Sequence, residues 1–337
     1  MAASDISRLG LKNGGSDNNA LFLKVFAGEV LSTFQETNLF MDKQMVRTIS
    51  SGRSAQFPVI GTAGAHWHTP GESVITDADA ASAAYLSNIK ATEREIFIDD
   101  AMVSSVLIDD LDSMKNHWDH RSEYTSAIGR ALALQADEHI LASILAASFT
   151  GANISGVTSD GQSVEVAAMD TDADVFIAGC FTAAQKLDEN DVDKHDRYVA
   201  CRPGMYYKLA QQTALVNRDF GGANGVYADG TVLKVAGFEI ISTNNMPSDT
   251  TNNSAVADAG AKNDVGGGAG IGYNLNWTNV EGLCFHKSAV GTVKMADIQV
   301  QAEYQVERLA TLLVARYAMG HSYLRPESTV CLRDVDS

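Results

Sequence analysis

Three clusters in this chain carry residue types that could do chemistry. The run Gly266-Gly267-Gly268-Ala269-Gly270-Ile271-Gly272 offers backbone N–H groups with little side-chain cover, as a phosphate-cradling turn does. Its spacing fails: from Gly268, Tyr273 stands where the last glycine of G-x-G-x-x-G must be. A polar stretch rather than a strand precedes it, and no G-x-x-x-x-G-K-[ST] occurs, so the run predicts a flexible loop. Asp191-Val192-Asp193-Lys194-His195-Asp196 alternates carboxylates as a calcium loop would. Asp196 replaces the required glycine and Arg202 the required bidentate glutamate, which leaves a solvated charged run. His66 and His68 flank Trp67 and share one face of an extended segment, but two imidazoles without a third ligand do not make a zinc site. His117, His120 and His139 are placed to cap or to hydrogen-bond. No G-x-S-x-G elbow is present, and Asp99-Asp100 and Asp109-Asp110 end apolar segments. The expectation is a chain without catalytic residue, cofactor site or metal site: not an enzyme.

The elements that would have to position a site point elsewhere. From Asp119 to Phe149, Tyr124, Ile128, Leu132, Ala136, Ile140, Ile144 and Phe149 recur almost every fourth position, and Leu134, Leu141 and Leu145 widen the stripe. That is helical periodicity. Asp119 or Ser122 can cap the start, Gly151 follows the end, and Gly129 inside costs only about 1 kcal/mol. At ~1.5 Å per residue the helix is on the order of 45 Å long, a spine along which other elements must lie.

Composition bounds the rest. A length of 337 residues with 45% hydrophobic content predicts two domains or one elaborate one, with a sizeable core. Cys180, Cys201, Cys284 and Cys331 are scattered and read as small buried apolar residues of a reducing compartment. No apolar run approaches the ~20 residues of a membrane span, and the first residues lack a signal-peptide core, so cytosol-like conditions are expected. A net charge of −17 repels polyanions and argues against sequence-specific nucleic-acid binding.

In chain order, residues 1–19 predict a loose arm, and Ala20 to Phe34 an amphipathic helix with Phe22 and Phe26 on its apolar side. Met45 to Ile60 predicts two short extended pieces about Ser51-Gly52. Gly61 to Ala84 is irregular and offers only Trp67, Val74 and Ile75 for burial, with Tyr85 and Leu86 just beyond. Flanked by strand-like segments, it predicts a long β-hairpin that is marginal alone and needs a neighbouring subunit to lie on. Ala101–Leu111 is a short apolar segment, Gly151–Thr171 a turn-rich loop or small hairpin, and Asp172–Leu187 a second helix. Asp188–Asp196 is a solvated loop, Arg197–Cys201 a buried strand, and Pro203–Leu215 begins as a helix. Val232–Thr243 reads as a strand pair or one bent strand, and 245–274 as a loop. Glu281–Phe285, Val290–Met295 and Ile298–Ala318 read as strands, the last buried in the core. The pattern is α+β.

Six segments carry a resemblance: LFLKVFAGEVLSTF (21–34), MVRTISSGRSAQFPVIG (45–61), PGES (70–73), VLIDDLDSMKNHWDHRSEYTSAIG (106–129), FHKSAVGTVKMADI (285–298) and ARYAMGHSYLRPE (315–327). In these the chain resembles the major capsid proteins of tailed double-stranded DNA bacteriophages, most of all the short-tailed, T7-like podoviruses. The resemblance spans both ends and the centre, and weakens between about 150 and 279. It implies an HK97-like fold: N-terminal arm 1–50, extended loop 51–95, peripheral domain 96–194 plus 286–337 with the spine helix 119–149, and axial domain 195–285. It also implies a structural function. Pentamers and hexamers of the chain tile an icosahedral procapsid around a scaffolding protein, with a portal at one vertex, and expand as DNA enters. A decoration or cement protein is a further partner the resemblance admits. The localisation implied is the virion, with assembly in the host cytoplasm. Lys90 is the only lysine between Lys43 and Lys115, and no covalent crosslink is inferred. Inter-subunit contact is expected at Phe22, Phe26, Trp67, Val74, Tyr85 and Leu86. The alternative is an encapsulin-like cellular nanocompartment shell, which shares the fold.

Overall fold

A five-residue strand with every side chain buried, Arg197–Cys201, sits at the centre of the fold. The computed structural model describes residues 38–65, 67–68, 70–71, 89–111, 121–212, 225–226, 231–232, 234–247, 261–263, 265, 272–273 and 275–335. In chain order these form β1 (Met45–Thr48), β2 (Ser54–Ile60), β3 (Ala91–Phe97), β4 (Met102–Asp109), the spine α1 (Arg121–Ser148), β5 (Gln162–Glu165) and α2 (Ala173–Glu189). Next come β6 (Arg197–Cys201), α3 (Pro203–Gln211), β7 (Gly225–Val226), β8 (Thr231–Val232), β9 (Lys234–Val235) and β10 (Phe238–Ser242). The chain closes with β11 (Val280–His286), β12 (Val290–Gln305), β13 (Ala310–Tyr323) and β14 (Thr329–Arg333).

Six strands make one mixed sheet in the order β5-β14-β11-β6-β10-β9. Alternate residues of a strand face opposite sides, and here both sides are covered. Tyr198 and Ala200 of β6, Leu283 and Phe285 of β11 and Cys331 of β14 pack with Ile140, Leu141, Ile144 and Leu145 of the spine. Val199, Cys201, Cys284, Val330 and Leu332 pack with Phe176, Cys180, Ala183 and Leu187 of α2 and with Met205 and Leu209 of α3. Gly282 of β11 is required there, because a Cβ would lie 3.0 Å from the Phe176 ring. All four cysteines are buried thiols, as their scatter predicted. Three of them share the α2 side, and burial pushes Cys201 up to about 12. The helix α2 starts where Asp172 accepts a hydrogen bond from the N–H of Asp174. The tight turn Ala236-Gly237, with φ of 50° and 86°, makes β9 and β10 a hairpin, the strand pair expected.

A second sheet has four strands in the order β1-β12-β13-β4. Ile128, Leu132, Ala133 and Ala136, on the first half of the spine, pack with Leu313, Ala315, Tyr317 and Met319 of β13. The spine therefore underlies both sheets, end to end. Its first half is one-sided as the stripe predicted, but from Ala136 to Ser148 nearly every residue is buried, whichever way it points. Leu134 and Phe149, expected in the stripe, are 42% and 52% exposed: Leu134 lies on the outer side of the amphipathic half, and Phe149 lies past the end of the helix, under the Arg333 guanidinium.

Several expectations need correction. Ile298–Ala318 is not one buried strand: β12 runs on through register shifts to Gln305, and the chain reverses at Val306–Arg308 with Leu309 in the left-handed region. Nothing glycine-like marks that turn, and Leu309 is 62% exposed. Ala101–Leu111 contains an edge strand, β4, paired antiparallel with β13. Within Gly151–Thr171 the structured piece is no hairpin but β5, which pairs parallel with β14, a buried strand that sequence patterning left unassigned. Asp188 and Glu189 continue α2 instead of opening the loop, and Asp188 bridges Arg197 and Lys194, both at 2.8 Å; Asp191 and 193–196 are exposed, as a solvated run is. The expected peripheral part, 96–194 plus 286–337, and axial part, 195–285, both contribute strands to the six-stranded sheet. The helix expected at Ala20–Phe34 lies outside the described residues.

Gly320 on β13 faces Phe97, where a Cβ would lie 1.9 Å from the Phe97 carbonyl oxygen, whereas a Cβ on Gly204 meets nothing within 4 Å. The expected outcome in chemical denaturation is that Gly320→Ala loses about 3 kcal/mol or more. Gly204→Ala should be neutral or gain roughly 0.5 kcal/mol.

Candidate functional site

Two places matter for a chain expected to reach out to neighbours: where residues 38–44 meet the spine, and where β2 and β3 join the body. At the first, residues 38–44 cross the spine. Phe40 is 1% exposed, in the apolar cluster of Ile140, Ile144 and Phe285. Beside it, Asp137 of the spine accepts hydrogen bonds from the backbone N–H groups of Leu39 (3.1 Å) and Phe40 (3.5 Å). Burial pushes the Asp137 carboxyl up to about 7, against the lowering effect of those donors and of the Asn245 amide. Lys43 adds an ion pair to Glu239 (2.9 Å) and lies 4.5 Å from the Tyr198 ring centroid, tying this root to the β9–β10 hairpin.

At the second root, β2 and β3 form a two-stranded antiparallel pair from Ser54↔Phe97 to Ile60↔Ala91. Its base is built into the body. Ala55 and Ile96 join Val293 and Leu324 in a small core, and Gly291 leaves room for the Ile96 and Leu324 methyls. Arg47 and Arg94 lie over the rings of Phe57 and Tyr323 at 4.5 and 4.1 Å. At the far end of the pair Gly61 abuts the Val157 side chain and the Lys90 carbonyl, so the 152–158 turn buttresses it.

Past β3, the chain turns through a buried polar knot. Asn263 imitates a neighbouring strand: its Oδ1 accepts from the Phe97 N–H (2.9 Å) and its Nδ2 donates to the Phe97 carbonyl (2.6 Å). The Asp99 carboxylate accepts from the N–H of Lys262 (2.7 Å), from the Asn263 amide (3.2 Å) and from the Tyr273 hydroxyl. Burial is the larger effect and pushes Asp99 up to about 6. The Tyr273 hydroxyl is also 3.0 Å from both the N–H and the carbonyl of His321. His139 stacks on Tyr273 at 4.1 Å, and burial lowers it to about 4, so it is neutral at pH 7. His321, which pairs with the Thr292 hydroxyl at 2.7 Å, is lowered by burial to about 3.

This arrangement fastens; it has no open nucleophile–base pair. Among the described residues no group of three His, Cys, Asp or Glu is placed to hold a metal, and no helix is long and apolar enough to cross a membrane. His139 makes a hydrogen bond, to Gln135, within the role expected of it. Of the residues expected at inter-subunit contacts, Trp67 is described and is 98% exposed; Phe22, Phe26, Val74, Tyr85 and Leu86 lie outside the described residues, as do His66, His117 and His120. Sequence reading missed Asp137, Asn263 and Tyr273. A carboxylate next to Ala136 in the apolar helical stripe was the available signal for Asp137, masked by its neighbour Glu138; Asn263 and Tyr273 sit in a glycine-rich tract with none.

The family model described as Gp10A-like major capsid protein matches residues 56–333. The chain belongs to this major capsid protein family. It is 34% identical to the major capsid protein of Escherichia phage T7 over 331 residues, covering 93% of this chain and 91% of that one. Among solved structures, the capsid of cyanophage P-SCSP1u matches with a TM-score of 0.75 and 38% identity over 98% of both chains. The mature capsid of bacteriophage PhiM1 matches at a TM-score of 0.69 with 18% identity, over 99% of this chain and 98% of that one. The fold is the HK97-like α+β capsid fold, and the family's work is structural, in the virion shell. Identity to phage capsid proteins disfavours the nanocompartment alternative.

The knot gives this capsid protein a measurable weak point. Asn263→Ala leaves the Phe97 N–H and carbonyl without their partners in a half-buried setting. The expected loss is about 2–4 kcal/mol in denaturant unfolding of the subunit, with residues 97–100 losing hydrogen-exchange protection first.

Proposed function

We propose that this chain builds the shell by laying its extended loop, residues 51–95, on an adjacent copy of itself. The observation that carries the reading is Trp67: a large aromatic, 98% exposed on the single chain, beyond a hairpin base whose last paired residues are Ile60 and Ala91. The indole stands just past the last paired residues of the hairpin, where a neighbouring copy could cover it, and aromatic side chains carry a large share of the energy at buried contacts. Covering it in the assembled shell contributes roughly 1.5–3 kcal/mol per subunit. Hundreds of such contacts make a firm shell, while each remains reversible during assembly. Val74, Tyr85 and Leu86 serve the same surface, and Phe22 and Phe26 of the N-terminal arm, 1–50, pack on a second neighbour. In this reading the peripheral part, 96–194 plus 286–337, carries the spine, and the axial part, 195–285, faces the capsomer axis.

Pentamers and hexamers formed in this way close an icosahedron around a scaffolding protein, with a portal at one vertex, and a decoration or cement protein has the finished surface to bind. The role is structural and not catalytic. A net charge of −17 suits a wall along which double-stranded DNA must slide without adhering.

Expression with a scaffolding protein is expected to yield closed particles in electron micrographs. Trp67→Ala should leave the unassembled subunit within about 0.5 kcal/mol of its original stability, because the side chain is 98% exposed there. The particles should dissociate at lower denaturant concentration. Particles of unchanged stability would remove Trp67 from the contact.

A further inference from the structure

One face of the spine stands open among the described residues. Between Tyr124 and Glu138 the buried side chains share one side of the helix, and the opposite side turns outward. Ala127, Arg130, Ala131 and Leu134 are exposed there, with Tyr124 and Glu138 half-buried at its ends. A helix face that stays in water is ordinarily charged and polar. The exposed part of this one carries a single charge, Arg130, beside three apolar side chains, of which Leu134 is 42% exposed. From His139 to Ser148 the helix is buried all round, so on the spine this half alone offers a seat to a further element.

The described chain begins beside that face. Leu39 and Phe40 donate their N–H groups to Asp137, at 3.1 and 3.5 Å. On an α-helix Asp137 lies about 20° from Arg130, at the edge of the outer face. Leu39, bonded there one turn from Leu134, is itself 43% exposed. Phe34, the end of the amphipathic segment Ala20–Phe34, precedes Asn38 by four Cα steps, which span at most about 14 Å. As a helix that segment measures ~22 Å, and the spine from Arg121 to Asp137 measures ~24 Å.

We propose that in the unassembled subunit residues 20–34 lie as a helix along the outer face of their own spine, with Phe22, Phe26, Val30 and Phe34 turned towards Ala127, Ala131 and Leu134. This rests on the reading of 1–50 as an arm: the arm is parked on the spine until assembly exchanges that face for a neighbouring copy.

Reach, shape and charge favour this occupant. A segment tethered four steps from its seat meets it at an effective concentration on the order of mM, far above that of any second copy in a dilute solution of subunits. Because the far half of the spine is enclosed, the segment can run only beside the near half, parallel to it. Alanines at 127 and 131 let a second helix approach to roughly 8 Å and leave room for phenyl rings. Glu29 borders the apolar side of the segment next to Phe26, and in this run it falls within about two turns of Arg130, at the border of the spine face.

Thiol labelling of the unassembled full chain tests the seat. Ala131→Cys places a reactive thiol on the face, since all four native cysteines are buried. Its reaction with a maleimide should speed up roughly 10-fold or more when Phe22→Ser and Phe26→Ser are added. Phe181→Cys, at an exposed position on α2, should react at the same rate with and without those changes. Arg130→Glu should raise the rate at position 131, and adding Glu29→Arg should lower it again. For the occupant, Ala131→Cys is combined in turn with Phe26→Cys, Ala27→Cys and Val30→Cys and oxidised at low subunit concentration. At least one combination should give a disulfide within a single chain.

A labelling rate indifferent to Phe22 and Phe26 overturns the proposal, whether or not any cysteine pair folds. So do disulfides that form only between chains, or in none of the combinations. Particles in micrographs alongside an unprotected thiol at 131 would end the parked arm and leave the shell reading standing. A protected thiol in a chain that never forms particles would do the reverse.

Discussion

A helix that is buried on all sides cannot be a surface brace; it has to be the axis on which everything else is threaded. From Ala136 to Ser148 the spine is enclosed by the six-stranded sheet and the segments that close over it, while its first half lies against the four-stranded sheet. Removing either sheet would put apolar surface of the helix into water. The two sheets are therefore held at fixed positions along one rigid rod, although they share no strand. Rigidity of that kind is what a shell subunit needs, because small angular errors between copies accumulate around a closed surface.

The same rod carries the fastening of residues 38–40 and of the polar knot after β3. Asp137 sits one turn from the residues that pack on β13, and His139 stacks on the tyrosine that receives Asp99. Polar groups sealed in a core are costly unless paired, and they accept few alternative geometries. An arm fastened through such groups leaves the body in a defined direction. A purely apolar root would slide. The hairpin shows the complementary strategy: Ala55 and Ile96 are buried, with arginines over Phe57 and Tyr323, so the strands are gripped on their faces.

Local signals were legible where one face or one cap decided the outcome. The spine's period, the cap at Asp172, the buried run Arg197–Cys201 and the pairing of the segments flanking the long loop could all be read from neighbours in sequence. What escaped depended on partners far away. The strand β14 has both faces buried and so lacks an alternating pattern, and β5 exists because β14 is there to pair with it. The turn at Val306–Arg308 hides in an apolar, β-prone run because its left-handed residue is Leu309, a type that ordinarily avoids that conformation. Asn263 lies 166 residues from Phe97, inside a tract whose composition promised only a loop.

That last case bears on how a capsid subunit can be both acidic and tightly folded. Excess negative charge on the surface costs little, since water and salt screen it. Carboxylates in the interior are another matter, and this chain places three raised acids, Asp99, Asp137 and Glu138, around one stretch of the spine. What makes the two aspartates tolerable is that donors replace the lost water: the amides of Leu39 and Phe40 at Asp137, and Lys262, Asn263 and Tyr273 at Asp99. Each such bond is directional, so the carboxyl fixes where residues 38–40 and 261–263 lie against the spine and β3, which an apolar contact of the same area would not do. The cost of burying the acid is the cost of that definition.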